Sequence, residues 1–411
     1  WKTDGTAPNT VMLKDIFAGT GQSNPQNFTE VNGSLYFAAG SSAIIGRELW
    51  KTDGTSAGTV LVKDIEPALN ISSSPSSLTA AGNMLYFYAT TTANGAELWK
   101  SDGTDAGTVM VIDHFPGATS SLPTIFTVLG DELLFRINNP QYGSEVWKTN
   151  TITGVTQLMK DINATEGTSY QPLSNFRPAD NYLFFTANNG INGLELWTTD
   201  GSTAGTHMVK DIVAGIVSTP LDILAAKNDT FFLAVDNSLA GIELWKTDGT
   251  DAGTVMVKNI RTGAAGSDPG NPLMIGQTLF FTADNNTNGI ELWKSDGTDA
   301  GTLLVKDIRP GAADASPRDF VNLNGTLVFS ATTGSLNGEE LWKSDGTEAG
   351  TVMIKDIFPG INDGHPTDLI TVNQHVFFVA DDGVHGTELW KTDGTDAGTM
   401  MVKDIIPGAE G

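Results

Sequence analysis

Thr278-Leu-Phe-Phe-Thr-Ala-Asp-Asn-Asn-Thr-Asn-Gly-Ile-Glu-Leu-Trp-Lys-Ser-Asp-Gly-Thr-Asp-Ala-Gly-Thr-Leu-Leu-Val-Lys-Asp-Ile308 contains three strands and the two reversals that join them. Residues 278–283 are aromatic and apolar on both faces of an extended chain, and residues 284–289 are a run of turn formers. Residues 291–295 read as the next strand and residues 302–308 as the one after it. Between them, 296–301 is a hairpin turn in which the glycines take positive φ and Asp296 bonds the backbone two residues on. A shorter strand precedes each such unit, as in Asp368-Leu-Ile-Thr-Val372 ahead of Asn373 and Gln374. The unit is therefore four antiparallel strands.

This unit is copied along the whole chain. The nine tryptophans, Trp1, Trp50, Trp99, Trp147, Trp197, Trp245, Trp293, Trp342 and Trp390, occupy one place in it, at successive spacings of 49, 49, 48, 50, 48, 48, 49 and 48 residues. A period in that range means a solenoid or a propeller. The strand before the tryptophan decides between them. Leu35-Tyr-Phe37, Leu85-Tyr-Phe87, Tyr182-Leu-Phe-Phe185 and Val376-Phe-Phe378 are apolar on both faces, whereas a sheet wet on one side would alternate. Blades stacked around an axis bury both faces, and an elongated β-helix does not need a tight hairpin in every repeat.

The expected fold is an all-β propeller of four-stranded blades forming one domain over residues 1–411. Inner strands begin near Phe28, Leu78, Phe126, Phe176, Leu221, Leu273, Phe320 and Leu369. Residues 27–405 thus hold eight complete repeats, and residues 1–16 are a surplus outer half-blade matching 390–405. An eight-bladed ring is the simplest closure. A nine-bladed ring is the alternative, as is a first half-blade that completes the blade begun at Leu369.

The formal charge is −25, from 48 acidic and 23 basic side chains, which argues against nucleic acid or an anionic membrane as partner. The chain has no cysteine, so neither a disulfide frame nor a thiolate metal site is available. No apolar run is long enough to span a bilayer. A start at Trp1 without Met reads as a cleaved, trimmed or incomplete N-terminus. The acidic, Gly-, Thr- and Asn-rich composition is that of a secreted or surface protein.

Glu48-Leu-Trp-Lys-Thr-Asp-Gly-Thr55 and its copies resemble the ELWxxDGT repeat of large secreted bacterial proteins, a family named for its motif and not for an activity. The resemblance covers essentially the whole chain. It implies a repeat-built extracellular or cell-surface protein and supplies no catalytic residues. One copy departs from it: Asn150 replaces the Asp and Thr151 the turn Gly, so that turn is expected to be rebuilt.

Residues repeated in every copy read as scaffold. The tryptophans are expected to be wedges between blades with their N–H groups satisfied. Glu48, Glu97, Glu145, Glu195, Glu243, Glu291, Glu340 and Glu388 stand two residues before them, on the same strand face, and are expected to accept hydrogen bonds or to pair with lysines such as Lys63 or Lys306. Acid–base catalysis needs carboxylates in unlike environments, and eight alike argue for structure. Asp53-Gly-Thr55 and its copies offer too few carboxylates for a calcium loop. No cofactor is expected. If a divalent ion such as calcium is bound, its ligands are expected in the oxygen-rich loops between second and third strands, with Asp284, Asp381 and Asp382 as candidates. His365 and His385, which share one repeat, form a weaker metal pair; His114, His207 and His375 lie at unrelated places.

The function expected from these features is a non-enzymatic binding or adhesion scaffold. Its variable loops would meet a protein or glycan at a surface, without membrane insertion. One alternative is a polysaccharide-processing enzyme with a central-channel site, for which Arg136, Arg177, Arg318, Tyr142, Tyr170 and the histidines are the unrepeated candidates. Another is an assembly subunit that self-associates through its surplus half-blade.

Overall fold

The computed structural model describes residues 1–405 and 407–408, apart from 43–44, 69–70, 140, 164–173, 180–181, 213–214, 216–222, 226–229, 237–239 and 335–336. The fold is an all-β propeller fold of four-stranded antiparallel blades. Eight such sheets follow one another at residues 26–63, 76–112, 124–160, 174–210, 223–258, 270–306, 318–355 and 367–403, each with its strands hydrogen-bonded in chain order. The one helical element among the described residues is a short 3₁₀ turn, Ala7–Asn9. No helix is long and apolar enough to cross a membrane.

The register repeats with the sequence. In the sixth sheet Phe281 lies opposite Trp293, and Trp293 opposite Leu304. The tight turn behind them is held by its own side chains. Asp296 Oδ1 accepts from the backbone N–H of Thr298 (2.9 Å) and from its hydroxyl (2.7 Å), while the Gly301 N–H donates to Thr298 Oγ1 at 3.0 Å. Gly297 sits at φ +84°, which a side chain would strain. The departing copy builds a different turn, in which Asn150 Oδ1 accepts from the N–H groups of Ile152 and Thr153 and the Gly154 N–H donates to Asn150 O.

First strands start about two residues earlier than hydrophobicity alone indicates, at Gln26, Ser76, Thr124, Ser174, Gly270, Arg318 and Thr367. The cause is a bulge after the first residue. Asn27, Ser77, Ile125, Asn271, Asp319 and Asp368 hold positive φ there, and the pairing with the second strand shifts, as between Arg318 and Val321.

Contacts gather the chain into two compact units, residues 1–2 with 11–217, and residues 3–10 with 218–411. Within the first unit, neighbouring sheets touch through their first strands and share cores. Val31, Tyr36, Leu49, Val62 and Ile65 of the first sheet close on Leu85, Phe87, Ala89 and Trp99 of the second. Tyr86 and Leu98 on the second sheet's other face meet Leu133, Phe135 and Ile137 of the third. The second unit repeats the scheme: Phe280, Leu292 and Val305 pack on Leu327, Phe329 and Trp342. A second strand that lies between two neighbouring sheets is apolar on both faces because each face belongs to a different inter-sheet core, as Leu85 and Phe87 meet the first sheet and Tyr86 the third.

Residues 1–16 keep the outer-pair register without forming a named strand: Lys2 bridges Val11 as Lys51 pairs with Val60.

Candidate functional site

Most of the repeated tryptophans and glutamates are buried in the structure. Trp50, Trp99, Trp197, Trp293, Trp342 and Trp390 are buried among inter-sheet residues, while Trp147 is partly exposed and Trp1 is 64% exposed. The expected hydrogen bonds from the indoles are not made, since the N–H groups of those six buried rings have no acceptor in the protein. Packing holds them, joined at Trp197 by Lys160 Nζ, 5.9 Å from the ring centroid. Trp245 is buried like the six.

The repeated glutamates staple the crossing segments. Glu291 accepts from the N–H groups of Ile308 (2.9 Å) and Arg309 (3.2 Å). Glu48 accepts from Ile65 and from both the N–H and the hydroxyl of Ser73, and Glu340 from Ile357, Phe358 and Gly364. Burial pushes these carboxyls up, to about 7 for Glu48, Glu145 and Glu340 and to about 8 for Glu195 and Glu291; Glu97 and Glu243 move the same way. Glu388, two residues before Trp390, is buried as well.

The lysines considered as partners for the glutamates reach outward to the next sheet instead. Lys63 Nζ donates to Asp105 O at 3.0 Å and Lys306 Nζ to Thr351 O at 2.9 Å. Lysines that directly follow a tryptophan do the same one turn along, as from Lys51 to Gly103 O and from Lys294 to Gly346 O, both 2.8 Å. An ammonium stem long enough to cross to the neighbouring hairpin finds carbonyls there, whereas the glutamate is already filled by local N–H donors.

The carboxylates considered as metal ligands are engaged by protein donors. Asp284 pairs with Arg261 and accepts from the Asn286 N–H. Asp381 accepts from the Gly383 N–H, and Asp382 from the N–H groups of Val384 and His385 and from His385 Nδ1 at 2.7 Å. Among the described residues no three or more His, Asp or Glu side chains are grouped to hold a metal.

Several of the unrepeated candidates are packing residues, while Arg177 and His207 are exposed. Burial pulls His114 down to about 4, and its ring meets Trp147 edge-on at 4.8 Å; Tyr142 also stands beside Trp147. Burial likewise lowers Arg136, which lies in the third sheet. Arg177 donates to Phe176 O. His207 Nδ1 lies 3.2 Å from Gly205 O, and His375 stands against Phe377. Tyr170 lies outside the described residues.

Arg318 and His365 are different, because one carboxylate joins them. Arg318 Nη2 lies 2.6 Å from Glu339 Oε1, which also accepts the Ser330 hydroxyl, and His365 Nδ1 lies 3.3 Å from Glu339 Oε2. Asp363 Oδ1 accepts the Glu339 N–H at 2.8 Å, and its other oxygen lies 3.8 Å from His365 Nε2. Asp319 stands 3.7 Å from Arg318 Nε. Its carboxyl is raised, first by burial and then by Asp368 and Glu339, against the pull of Arg318. Glu339 is nearly buried, while Arg318 and His365 face solvent.

The fold brings these groups together at one end of the seventh and eighth sheets. Arg318 and Asp319 open a first strand at its bulge, Glu339 opens a third strand, and Asp363 and His365 sit in the crossing segment. Sequence reading singled out Arg318 and His365 and missed Glu339 and Asp363. The available signal was the slot before the repeated glutamate. Elsewhere it holds Arg47, Ala96, Ser144, Leu194, Ile242, Ile290 and Thr387, so a second acid there serves no repeated purpose.

No family model matches the sequence, and none of the curated proteins does. Solved structures do. Dipeptidyl peptidase 4 of Porphyromonas gingivalis matches over 94% of this chain and 60% of its own, with a TM-score of 0.59 and 7% identity. A prolyl endopeptidase matches over 80% of this chain and 49% of its own, with a TM-score of 0.46 and 10% identity. The propeller domain of the trilobed protease from Pyrococcus furiosus matches over 81% of this chain and 98% of its own, with a TM-score of 0.40 and 10% identity. The chain spans about half the length of the prolyl endopeptidase and 60% of the dipeptidyl peptidase.

At such identities the likeness is one of fold. It nevertheless corrects the expectation of a non-enzymatic binding or adhesion scaffold, because the structure matched with a TM-score of 0.59 is that of a dipeptidyl peptidase.

Proposed function

We propose that this chain is the propeller portion of a peptide-processing protein, and that the Arg318–Glu339–His365 cluster is where it engages peptide. The observation that carries the reading is the cluster itself. It is an unrepeated group built around a nearly buried carboxylate that both Arg318 and His365 reach. Asp319, Glu339, Asp363 and Asp368 outnumber Arg318, so the site suits the cationic groups of a peptide, its terminal ammonium or its lysine and arginine side chains. The likeness in fold to the peptidase propeller supports this reading.

The resemblance to the ELWxxDGT repeat family, a secreted or surface location and a ring of eight blades with a surplus half-blade, or of nine, belong to the same proposal. They are supported by the fixed period and the acidic, cysteine-free composition.

The test is calorimetric titration with short peptides whose N-termini are free or acetylated. Peptides with free ammonium groups are expected to bind more tightly, and Glu339→Gln to weaken them about tenfold or more. Glu339→Gln with unchanged affinity, or equal binding of both peptide sets, refutes the assignment.

A further inference from the structure

The first sheet carries an apolar face that its counterparts bury. Leu35 is 37% exposed, whereas Leu85, Leu133, Leu183, Leu279, Leu327 and Val376 at the same place are 0 or 1% exposed. Phe28 is 56% exposed, while Phe176 at the same place is 3% exposed. In the second sheet the matching face is covered by Val31 and Tyr36, from the first two strands of the sheet before it. On the first sheet Phe37, Ala39 and Trp50 are joined among the described residues by Ile16 and Leu61, and the exposed Phe28 ring lies 5.5 Å from Phe37.

Residues 1–2 and 11–16 supply the outer half of such a cover. Lys2 Nζ donates to Gly54 O at 2.9 Å and Lys14 Nζ to Thr59 O at 2.6 Å, the same latches that join the outer pairs of the first and sixth sheets to the sheets after them. What other sheets place inside that outer pair is an inner hairpin. Here a groove of ≈ 570 Å³ remains, lined by Trp1, Met12, Ile16, Phe28, Leu35 and Phe37.

We propose that this groove is a docking site for a β-hairpin of the repeat's own inner-strand type. Such a hairpin has the pattern of residues 270–284: an apolar first strand, a tight turn and a second strand apolar on both faces. It would add as strands beside residues 1–2 and lay one apolar face on Phe28, Leu35 and Phe37. The argument is continuity: the outer latches of the inter-sheet interface are in place, and the uncovered residues are those the inner hairpin covers elsewhere. A hairpin alone is marginally stable in water, so the groove and its occupant would order each other.

The test uses the full chain in two forms. In one, the free peptide of residues 270–284 is added; in the other, residues 270–292 are joined ahead of Trp1, which raises the effective concentration and reproduces the natural sequence into the tryptophan. Hydrogen exchange of amides in 11–16 and 28–37 is expected to slow about tenfold or more in the joined form. The free peptide should give the same pattern at saturation. Phe28→Asp with Leu35→Asp, at exposed positions, should abolish the slowing while leaving the other sheets' exchange unchanged. Unchanged exchange in the joined form overturns the proposal. So does sedimentation of the chain alone as a dimer with these segments already protected, which makes a second copy the occupant, or equal protection by soluble oligosaccharides.

Discussion

A residue repeated in every sheet is tested by the tryptophans and the turn glycines. Trp293 is an inter-sheet filler with no hydrogen bond to lose, so Trp293→Ala should cost about 3–5 kcal/mol as a cavity in a packed core. Urea unfolding checks this, and peptide affinity at the Glu339 cluster should be unaffected. Gly301 is confined differently. A methyl group there would lie 2.1 Å from Asp296 Oδ1, the oxygen that organises the turn. Gly301→Ala should therefore destabilise by roughly 1–3 kcal/mol, the range for overpacking, and Asp296→Ala on the same background should relieve part of that loss. If the double variant is as unstable as the sum of both single changes, the carboxylate is not what excludes the side chain.

Elements were legible in this sequence to the extent that they repeat. Two-sided apolar second strands, the turn at each Asp-Gly-Thr and the rebuilt turn at Asn150 all follow from short-range chemistry. The bulges that move each first strand's start do not, because Asn27, Ser77, Ile125 and Asp319 share a backbone conformation and no residue type. Partners across sheets were also hidden. Lys63 and Lys306 read as candidates for the buried glutamates, yet only three-dimensional stacking brings the next hairpin's carbonyls within their reach. The site was half visible for a related reason: Arg318 and His365 stand out as unrepeated, whereas Glu339 is masked by the repeated Glu340 beside it. The latches carry a prediction of their own. Lys294→Met keeps the stem and removes the donor to Gly346 O, which should cost about 0.5–1.5 kcal/mol. Denaturation of that variant by urea should show a lowered midpoint with an unchanged slope; a changed slope means that the sheets separate before they unfold.

At the scale of the molecule, buried carboxyls and net charge act in the same direction. Glu48, Glu145, Glu195, Glu291 and Glu340 hold their protons up to about 7 or 8 when folded, against an ordinary value of 4.5. Between pH 4.5 and 8 the unfolded chain has released these protons and the folded chain has not, so stability falls as pH rises through that window. Below 4.5 both states are protonated and the effect is fully present. The turn aspartates run the other way. Asp53, Asp102, Asp296 and Asp345 are lowered from 3.8 by their hydrogen bonds to threonine, so their contribution is lost as pH falls below that value. They are solvent-exposed and weigh less than the buried glutamates. Self-repulsion from a formal charge of −25 adds to the cost at high pH and is screened by salt. Thermal unfolding should therefore show greatest stability near pH 4 to 4.5 and a decline toward pH 8. Added monovalent salt should recover only the repulsive part, because buried carboxyls are screened far less than surface ones. Glu291→Gln separates the two contributions: it keeps the shape and an acceptor oxygen but has no proton to release. Relative to the unaltered chain it should gain stability steadily from pH 4.5 to 8 in high salt, and stability curves that stay parallel across that range would place the pH dependence on the surface charge alone.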